Sequence, residues 1–203
     1  MIAIIDYGVG NLFSLSSSLR AIDFDAVVTG DAEIIKKADK LILPGVGAFA
    51  DAIAKLRSTG LDREIIREVA GGKKLLGICL GMQMLFDKSY EYGTHTGLGL
   101  IHGDVIAMEG TIDNTLKIPH IGWNSLVFQK ETPLFKYIQD GDFVYFVHSY
   151  YADNCQSAVI ATTQYGKPMT AAVAQDNIFG CQFHPEKSGD VGLKILKAFC
   201  EME

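Results

Sequence analysis

The sequence lacks any run of basic residues and any long apolar stretch. Its 203 residues contain 18 Lys and Arg against 24 Asp and Glu, a formal net charge of −6, and lysines adjoin only in the pairs Lys36-Lys37 and Lys73-Lys74. Such a chain has no basic footprint for nucleic acid. No apolar stretch approaches the roughly 20 residues that a membrane-spanning helix needs. We therefore expect no nucleic-acid partner and no membrane segment.

Closely spaced cysteines are also absent. Without a CxxC pair, the pattern predicts neither a disulfide framework nor a tetrahedral zinc site. Met1 leads directly into apolar residues, without the basic segment and small-residue cleavage site of a signal peptide. These features favour a reducing, cytoplasmic compartment. The four cysteines are Cys79, Cys155, Cys181 and Cys200.

What the sequence does contain is typical of one globular domain. Apolar residues make up 48% and charged residues 21%, and no repeat, low-complexity tract or linker divides residues 1–203. In the first half, short apolar runs alternate with helical patterns, which predicts parallel strands joined by crossover helices. The second half is rich in strand patterns and closes on a predicted helix. The predicted fold class is α/β: a single domain with a mixed, mostly parallel central sheet flanked by helices.

The most informative segment is Gly77-Ile78-Cys79-Leu80-Gly81. A buried strand is predicted to end at Cys79, and a helix is predicted over residues 81–88. G-x-C-x-G at a strand-to-helix junction is the cysteine form of a nucleophile elbow. A helix N-terminus favours the nucleophilic thiolate form of a cysteine, and the Leu80 amide becomes available to an oxyanion. The alternative is a buried cysteine that packs as a small apolar side chain and has no catalytic role.

A second glycine turn, Pro44-Gly45-Val46-Gly47, closes the neighbouring predicted strand. Because ligands bind at the carboxyl ends of strands in a doubly wound sheet, both turns are expected at one edge. Amides of Gly45, Val46 and Gly47 would then complete an oxyanion hole. Without Cys79, a plain strand-to-helix connection would be the simpler explanation.

A nucleophilic cysteine needs a base, and His184 is the best placed of the five histidines. It ends the strand pattern at 179–183 and is followed by Pro185 and Glu186. A strand-like path through the stiff proline would put the His184 and Glu186 side chains on one side. The pair would supply a base and the carboxylate that orients it. On its own, His-Pro-Glu would more often be a structural turn.

Taken together, these motifs resemble the class I (triad) glutamine amidotransferases, whose fold is flavodoxin-like. Over nearly the whole chain they are most similar to the glutaminase subunits of imidazole glycerol phosphate synthase. One departure is Phe13, where that family leads us to expect a basic residue. The segments that carry the resemblance are IDYGVGN at 5–11, LPGVGAF at 43–49, GICLGMQ at 77–83, PHIGWN at 119–124, FVHSYY at 146–151 and QFHPEKS at 182–188.

The resemblance implies that the chain is a cysteine glutaminase that needs no metal or organic cofactor. Cys79 would be the nucleophile, His184 the general base and acid, and Glu186 its orienting carboxylate. The oxyanion would meet the amides of Val46 and Leu80. The α-amino and α-carboxylate groups of glutamine would be held by Gln83 and by the backbone at Ser149 and Tyr150.

The resemblance also implies a partner, the cyclase subunit of a heterodimeric synthase. That subunit would use the ammonia to make imidazole glycerol phosphate and AICAR in histidine biosynthesis. The glutaminase is expected to have almost no activity alone and to become active when the partner docks. For Trp123, ordinary core packing is the alternative to an interface role. Residues expected to contact the partner are Asn11, His120, Trp123 and Lys187.

Other functions remain open from the residues alone. The glutaminase subunit of another amidotransferase, or a cysteine hydrolase similar to γ-glutamyl hydrolases, would use the same triad. A non-catalytic binding module would retain the fold, but the intact Cys79, His184 and Glu186 argue against it.

Overall fold

The computed structural model describes residues 1–203, in which four parallel strands of the main sheet alternate with helices. Each strand is short and apolar, and each of the first three is followed by a turn and one or two helices that return the chain to the same end of the sheet. The elements are β1 (Ile2–Ile5), α1 (Leu12–Ala21), β2 (Ala26–Thr29), α2 (Ala32–Lys37), β3 (Lys40–Gly45), α3 (Phe49–Ser58), α4 (Leu61–Ala70) and β4 (Lys74–Cys79).

The remaining elements extend this sheet and add two smaller ones. The eight-stranded main sheet has the order β2-β1-β3-β4-β14-β13-β12-β9, parallel from β2 to β14 and antiparallel beyond. The further elements are α5 (Leu80–Gln83), β5 (Phe86–Ser89), β6 (His95–Thr96), β7 (Ile101–Ala107), β8 (His120–Ser125), β9 (Val127–Phe128), β10 (Phe143–His148), β11 (Tyr150–Asp153), β12 (Val159–Tyr165), β13 (Lys167–Gln175), β14 (Ile178–Cys181) and α6 (Gly189–Glu201).

The two faces of the main sheet belong to two separate hydrophobic cores. Successive side chains of a strand point to opposite faces, so Ile5 and Leu43 join the core beneath α3 and α4. Ile4 and Ile42 join the core beneath α1 and α6. Burial on both faces explains why these strands are apolar throughout and not alternating. None of the helices has the length and apolar character needed to cross a bilayer.

The strands outside the main sheet form two smaller sheets. One is an antiparallel ribbon of β8 and β10, and the other has the order β11-β7-β5-β6. The predicted helix over residues 81–88 is wrong beyond its first turn, since α5 ends at Gln83 and the chain then forms β5. Every residue from 80 to 86 is buried, so the run has no helical periodicity, and pairing of β5 with β6 and β7 decides its structure.

Candidate active site

Cys79 is the last residue of β4 and directly precedes α5. Its backbone has φ 55° and ψ −112°, a strained combination for an L-residue. The glycines on either side are sterically necessary. A Cβ on Gly81 would lie 1.8 Å from the Leu43 carbonyl oxygen, and one on Gly77 would lie 2.8 Å from the Gly81 oxygen. The segment therefore forms the predicted elbow and holds the thiol at the carboxyl end of its strand.

The second glycine turn lies beside the elbow because β3 and β4 are parallel neighbours. Their register pairs Gly45 with Cys79. A Cβ on Gly45 would lie 2.8 Å from the Gly81 nitrogen and 2.9 Å from the Tyr7 hydroxyl. The Tyr7 hydroxyl donates a hydrogen bond of 2.8 Å to the Pro44 carbonyl, which fixes the first half of the turn. Gly47 lies in the left-handed region with φ +90°.

His184 and Glu186 form the predicted pair, but by a different path. The His184 Nδ1 and Glu186 Oε1 atoms are 2.8 Å apart, and both side chains are only 3% exposed. The expected strand-like path is wrong, because Pro185–Lys187 is a turn of 3₁₀ helix. The Ser188 hydroxyl closes this turn by donating a hydrogen bond of 2.6 Å to the His184 carbonyl.

The electrostatics of His184 are those of a base shared by two partners. Burial disfavours the charged imidazolium, but hydrogen bonds to Cys79 and to Glu186 and the charges of both groups outweigh it. The net effect raises the pKa of His184 to about 9. Burial, together with the proximity of Cys79, raises the pKa of Tyr7. The raised pKa means that the surroundings of His184 favour its protonated form.

All of the residues expected to bind substrate except Gly45 meet in one cavity of about 390 Å³ at this edge of the sheet. Gly45 lines a smaller adjacent cavity, together with Asn11 and Glu186. Sequence reasoning missed Glu91, which lines the main cavity and lies between β5 and β6, where no local motif marks it. No group of three His, Cys, Asp or Glu side chains is arranged to hold a metal ion. The expected residues around the main cavity are Val46, Gly47, Cys79, Leu80, Gln83, Ser149, Tyr150, His184 and Lys187.

Two of the four surface residues proposed from sequence are clearly exposed. Trp123 is 55% exposed and lies edge-on to Tyr145, with ring centroids 6.2 Å apart. Lys187 is exposed, and Asn11 is half-buried. The expectation for His120 needs correction: its side chain points inward, is only 3% exposed, and stacks on Phe146 and Tyr165. His120 sits opposite His148 at the end of the ribbon, where side chains alternate between inner and outer faces.

Comparison with solved structures supports the fold. The chain superposes on the structure titled "Structure of PurLQS from Thermotoga maritima" with a TM-score of 0.76 and 20% identity, covering 98% of this chain and 96% of the other. The glutaminase domain of Trypanosoma brucei CTPS with bound acivicin gives a TM-score of 0.63 at 15% identity, covering 100% of this chain and 94% of that one. At these identities the likeness shows the fold alone.

Comparison of sequences identifies the family. The model of the family "Glutamine amidotransferase class-I" matches residues 3–202. The chain is 53% identical to the "Imidazole glycerol phosphate synthase subunit HisH" of Caldanaerobacter subterraneus, over 100% of this chain and 98% of that protein. It is 47% identical to the HisH subunit of Bacillus subtilis, over 100% of this chain and 96% of that protein. The family model, the sequence relatives and the fold lead to the same conclusion. The chain belongs to the class I glutamine amidotransferases and, within them, to the HisH subunits of imidazole glycerol phosphate synthase.

Proposed function

We propose that this chain hydrolyses glutamine to glutamate and ammonia at Cys79 and supplies the ammonia to a cyclase subunit. The observation that carries the proposal is the buried pair of His184 and Glu186, joined at 2.8 Å, in a site where His184 and the Cys79 thiol line the same cavity of amino-acid size. A nucleophile, a base and a group that orients the base are the parts needed for acyl transfer.

In the first half of the reaction, the Cys79 thiolate attacks the carboxamide carbon of glutamine. The C=O π electrons move to oxygen, and the resulting oxyanion accepts hydrogen bonds from the amides of Leu80 and Val46. The imidazolium of His184 protonates the amide nitrogen, the C–N bond breaks and ammonia leaves. The product on the enzyme is a γ-glutamyl thioester of Cys79, and His184 is now neutral.

In the second half, the neutral His184 removes a proton from water as that water attacks the thioester carbon. A second oxyanion forms against the same amides and collapses with cleavage of the C–S bond. Glutamate is released and the Cys79 thiolate and His184 imidazolium are restored. The contact of Glu186 with His184 Nδ1 keeps the proton on that nitrogen, so that Nε2 serves the reacting atoms.

The cavity contains polar groups for the amino-acid end of the substrate. The Gln83 amide nitrogen already donates to the Tyr150 carbonyl and to Gln182 Oε1, each at 3.1 Å. Both N–H groups of Gln83 are thus committed, and its oxygen is left to accept from the α-ammonium group. The Glu91 carboxylate in the same cavity adds the matching negative charge. The backbone of Ser149 and Tyr150 is then proposed to hold the α-carboxylate.

The outer face of the β8–β10 ribbon is the surface that we propose for the cyclase subunit. Register places Ile121 beside Val147 and Trp123 beside Tyr145, and the exposed Ile121, Trp123 and Phe143 form an apolar patch on it. Val147 and Lys187 also line the catalytic cavity, so the patch adjoins the site where ammonia forms. The names of the relatives, as subunits of a synthase, support a partner of this kind.

Docking at this surface is proposed to control the oxyanion hole. Val46 is exposed between the tightly packed Gly45 and the open Gly47, a position where one peptide can rotate. An amide turned away at rest would remove one donor, which is worth roughly 10²–10³ in rate.

We place the activity in the cytoplasm, because all four cysteines are unpaired, as expected in a reducing compartment.

The glutaminase activity is tested by replacing Cys79 with Ala in the complex with a cyclase subunit. Glutamate release should fall by at least roughly 10³, because triad members act as a unit. Product formation from ammonium salt should continue, since the small substitution leaves the fold intact. Cys200→Ala, a change at another buried cysteine, is the matched control and should stay near wild type. Glutamate release by Cys79→Ala at the control rate would refute the proposal.

The docking surface is tested separately with Trp123→Ala. Removing an exposed aromatic anchor should weaken binding to the cyclase subunit by about tenfold or more, measured by calorimetric titration. Ile66→Ala is the control, because Ile66 is also exposed but lies on α4. That helix covers the core beneath α3 and α4, whereas the ribbon contributes to the core beneath α1 and α6. Equal affinity of the two variants would remove the ribbon from the interface without affecting the assignment of Cys79.

A further inference from the structure

A row of hydrogen bonds leads from the ribbon to the nucleophile. The Tyr150 carbonyl determines which group is the donor and which the acceptor at each step. That oxygen is approached by His148 Nδ1 at 2.9 Å and by Gln83 Nε2 at 3.1 Å. A carbonyl oxygen only accepts hydrogen bonds. Both nitrogens must therefore carry a proton directed at Tyr150, which fixes the tautomer of His148 and the orientation of the Gln83 amide.

On its inner side, the row of hydrogen bonds ends at the sulfur of Cys79. The second N–H of Gln83 points to Gln182 Oε1 at 3.1 Å, so the Gln182 oxygen is the acceptor. The Gln182 amide nitrogen is then the end that faces Cys79 Sγ, at 3.9 Å. Gln182 is fully buried, with 0% of its surface exposed. Because the oxygen of this buried amide accepts one hydrogen bond and its nitrogen donates another, the orientation of the Gln182 side chain is fixed.

Followed outward, the row continues to the inner face of the ribbon. Because His148 Nδ1 is the donor to Tyr150, the neutral His148 Nε2 accepts from His120 Nδ1 at 3.0 Å. His120 Nε2 in turn accepts from the Asn124 amide at 3.3 Å. Burial lowers the pKa of both histidines to about 4, so they stay neutral and keep these tautomers near neutral pH.

We propose that Gln182 is a further catalytic residue, whose side-chain amide donates a hydrogen bond to the Cys79 sulfur and stabilises its thiolate. The inference rests on the proposed function, in which that thiolate is the nucleophile. Gln83 and the Tyr150 carbonyl hold the Gln182 amide in the orientation that presents N–H to sulfur. The donor also stabilises the thiolate when it leaves the tetrahedral intermediate in the second half of the reaction.

The experiment is the pH dependence of Cys79 alkylation by iodoacetamide in the full chain, followed on the Cys79 peptide by mass spectrometry. In Gln182→Met, which removes the donor, the midpoint should rise by about one pH unit, in keeping with the usual strength of a hydrogen bond to a charged group. With the partner subunit bound, kcat should fall roughly tenfold. The titratable or charged groups around the sulfur, unchanged in the variant, are Tyr7, Glu91, His148, His184, Glu186 and Lys187.

Thr170→Val is a matched control, because Thr170 is also buried and its hydroxyl lies 3.9 Å from another sulfur, that of Cys155. Its alkylation midpoint at Cys79 should equal that of wild type. If Gln182→Met does not fold, Gln182→Glu keeps the shape and the acceptor for Gln83, and the midpoint should rise at least as far. A midpoint equal to the control in the folded variant overturns the proposal. Alkylation needs no glutamine turnover, so this outcome is distinct from failure of the glutaminase assignment.

Discussion

The two glycine turns at the active site are neighbours in the sheet, yet Gly81 in one turn and Gly47 in the other are needed for different physical reasons. At the elbow, Gly81 has no room for a side chain, since a Cβ would meet the Leu43 carbonyl at 1.8 Å. In the second turn, Gly47 has open space around its Cβ position but lies at φ +90°. The first glycine is required by packing and the second by backbone conformation.

The difference shows which turn is rigid and which can move. A backbone that is crowded on all sides has a single arrangement, and the nucleophile in a strained conformation is attached to it. The second turn is crowded only at Gly45 and faces solvent at Val46 and Gly47. A fixed nucleophile beside an adjustable oxyanion amide would suit the partner-dependent activation proposed above.

The largest effect is expected from Gly81→Ala. The added methyl group meets backbone atoms, which cannot move aside as a flexible side chain can. We expect the free energy of unfolding to fall by more than about 3 kcal/mol, measured by denaturant titration followed by circular dichroism. A loss below about 1 kcal/mol would contradict the claim that the elbow is locked by packing.

The two sides of the site also differ in charge, because His184 is titratable and buried near the elbow, whereas the sequence Pro44-Gly45-Val46-Gly47 has no titratable side chain. The folded-state pKa of His184, about 9, is above its ordinary value of 6.5. Stability from this group is therefore full below pH 6.5 and is lost as pH rises through 9. We expect a decrease of roughly 2–3 kcal/mol over that interval. Chemical unfolding at several pH values measures it, and a His184→Gln variant with the same slope would contradict the assignment.

The smallest effect is expected from Gly47→Ala. No atom lies within 4 Å of the added Cβ, so only the left-handed backbone conformation opposes the change. The expected loss is about 1–2 kcal/mol in the free energy of unfolding, measured beside Gly81→Ala under identical conditions. A loss as large as that of Gly81→Ala would mean that packing also opposes a side chain at position 47, and the contrast between the two glycines would disappear.

The sequence was sufficient for the parts of the molecule that local patterns encode. The apolar strands with glycine turns, the elbow at Cys79 and the pairing of His184 with Glu186 were all predicted, because each depends on a few consecutive residues. The route between His184 and Glu186 was not. A proline after the strand is compatible with both an extended path and a 3₁₀ turn, and Ser188 bonding to the His184 carbonyl selects the second.

Features that depend on distant residues were missed or misplaced. The region after Gln83 forms a strand because β6 and β7 pair with it, and its continuous burial gives no periodic signal. His120 was expected at the surface, but its position in the ribbon turns it towards Phe146. Gln182 and Glu91 acquire their contacts only when separate segments come together at the cavity, so no spacing in the sequence reveals them.

The pairing of Gly45 with Cys79 has a consequence for how this active site tolerates change in chain length. The residues that follow the pair, Val46 and Leu80, leave the sheet at the same level, so their separation is determined by the register of β3 and β4 and not by any loop. Insertions in the connection between α3 and α4 would leave both amides in place. A single residue added within Lys40–Gly45 would displace Val46 relative to Leu80 and turn alternate strand side chains to the wrong face.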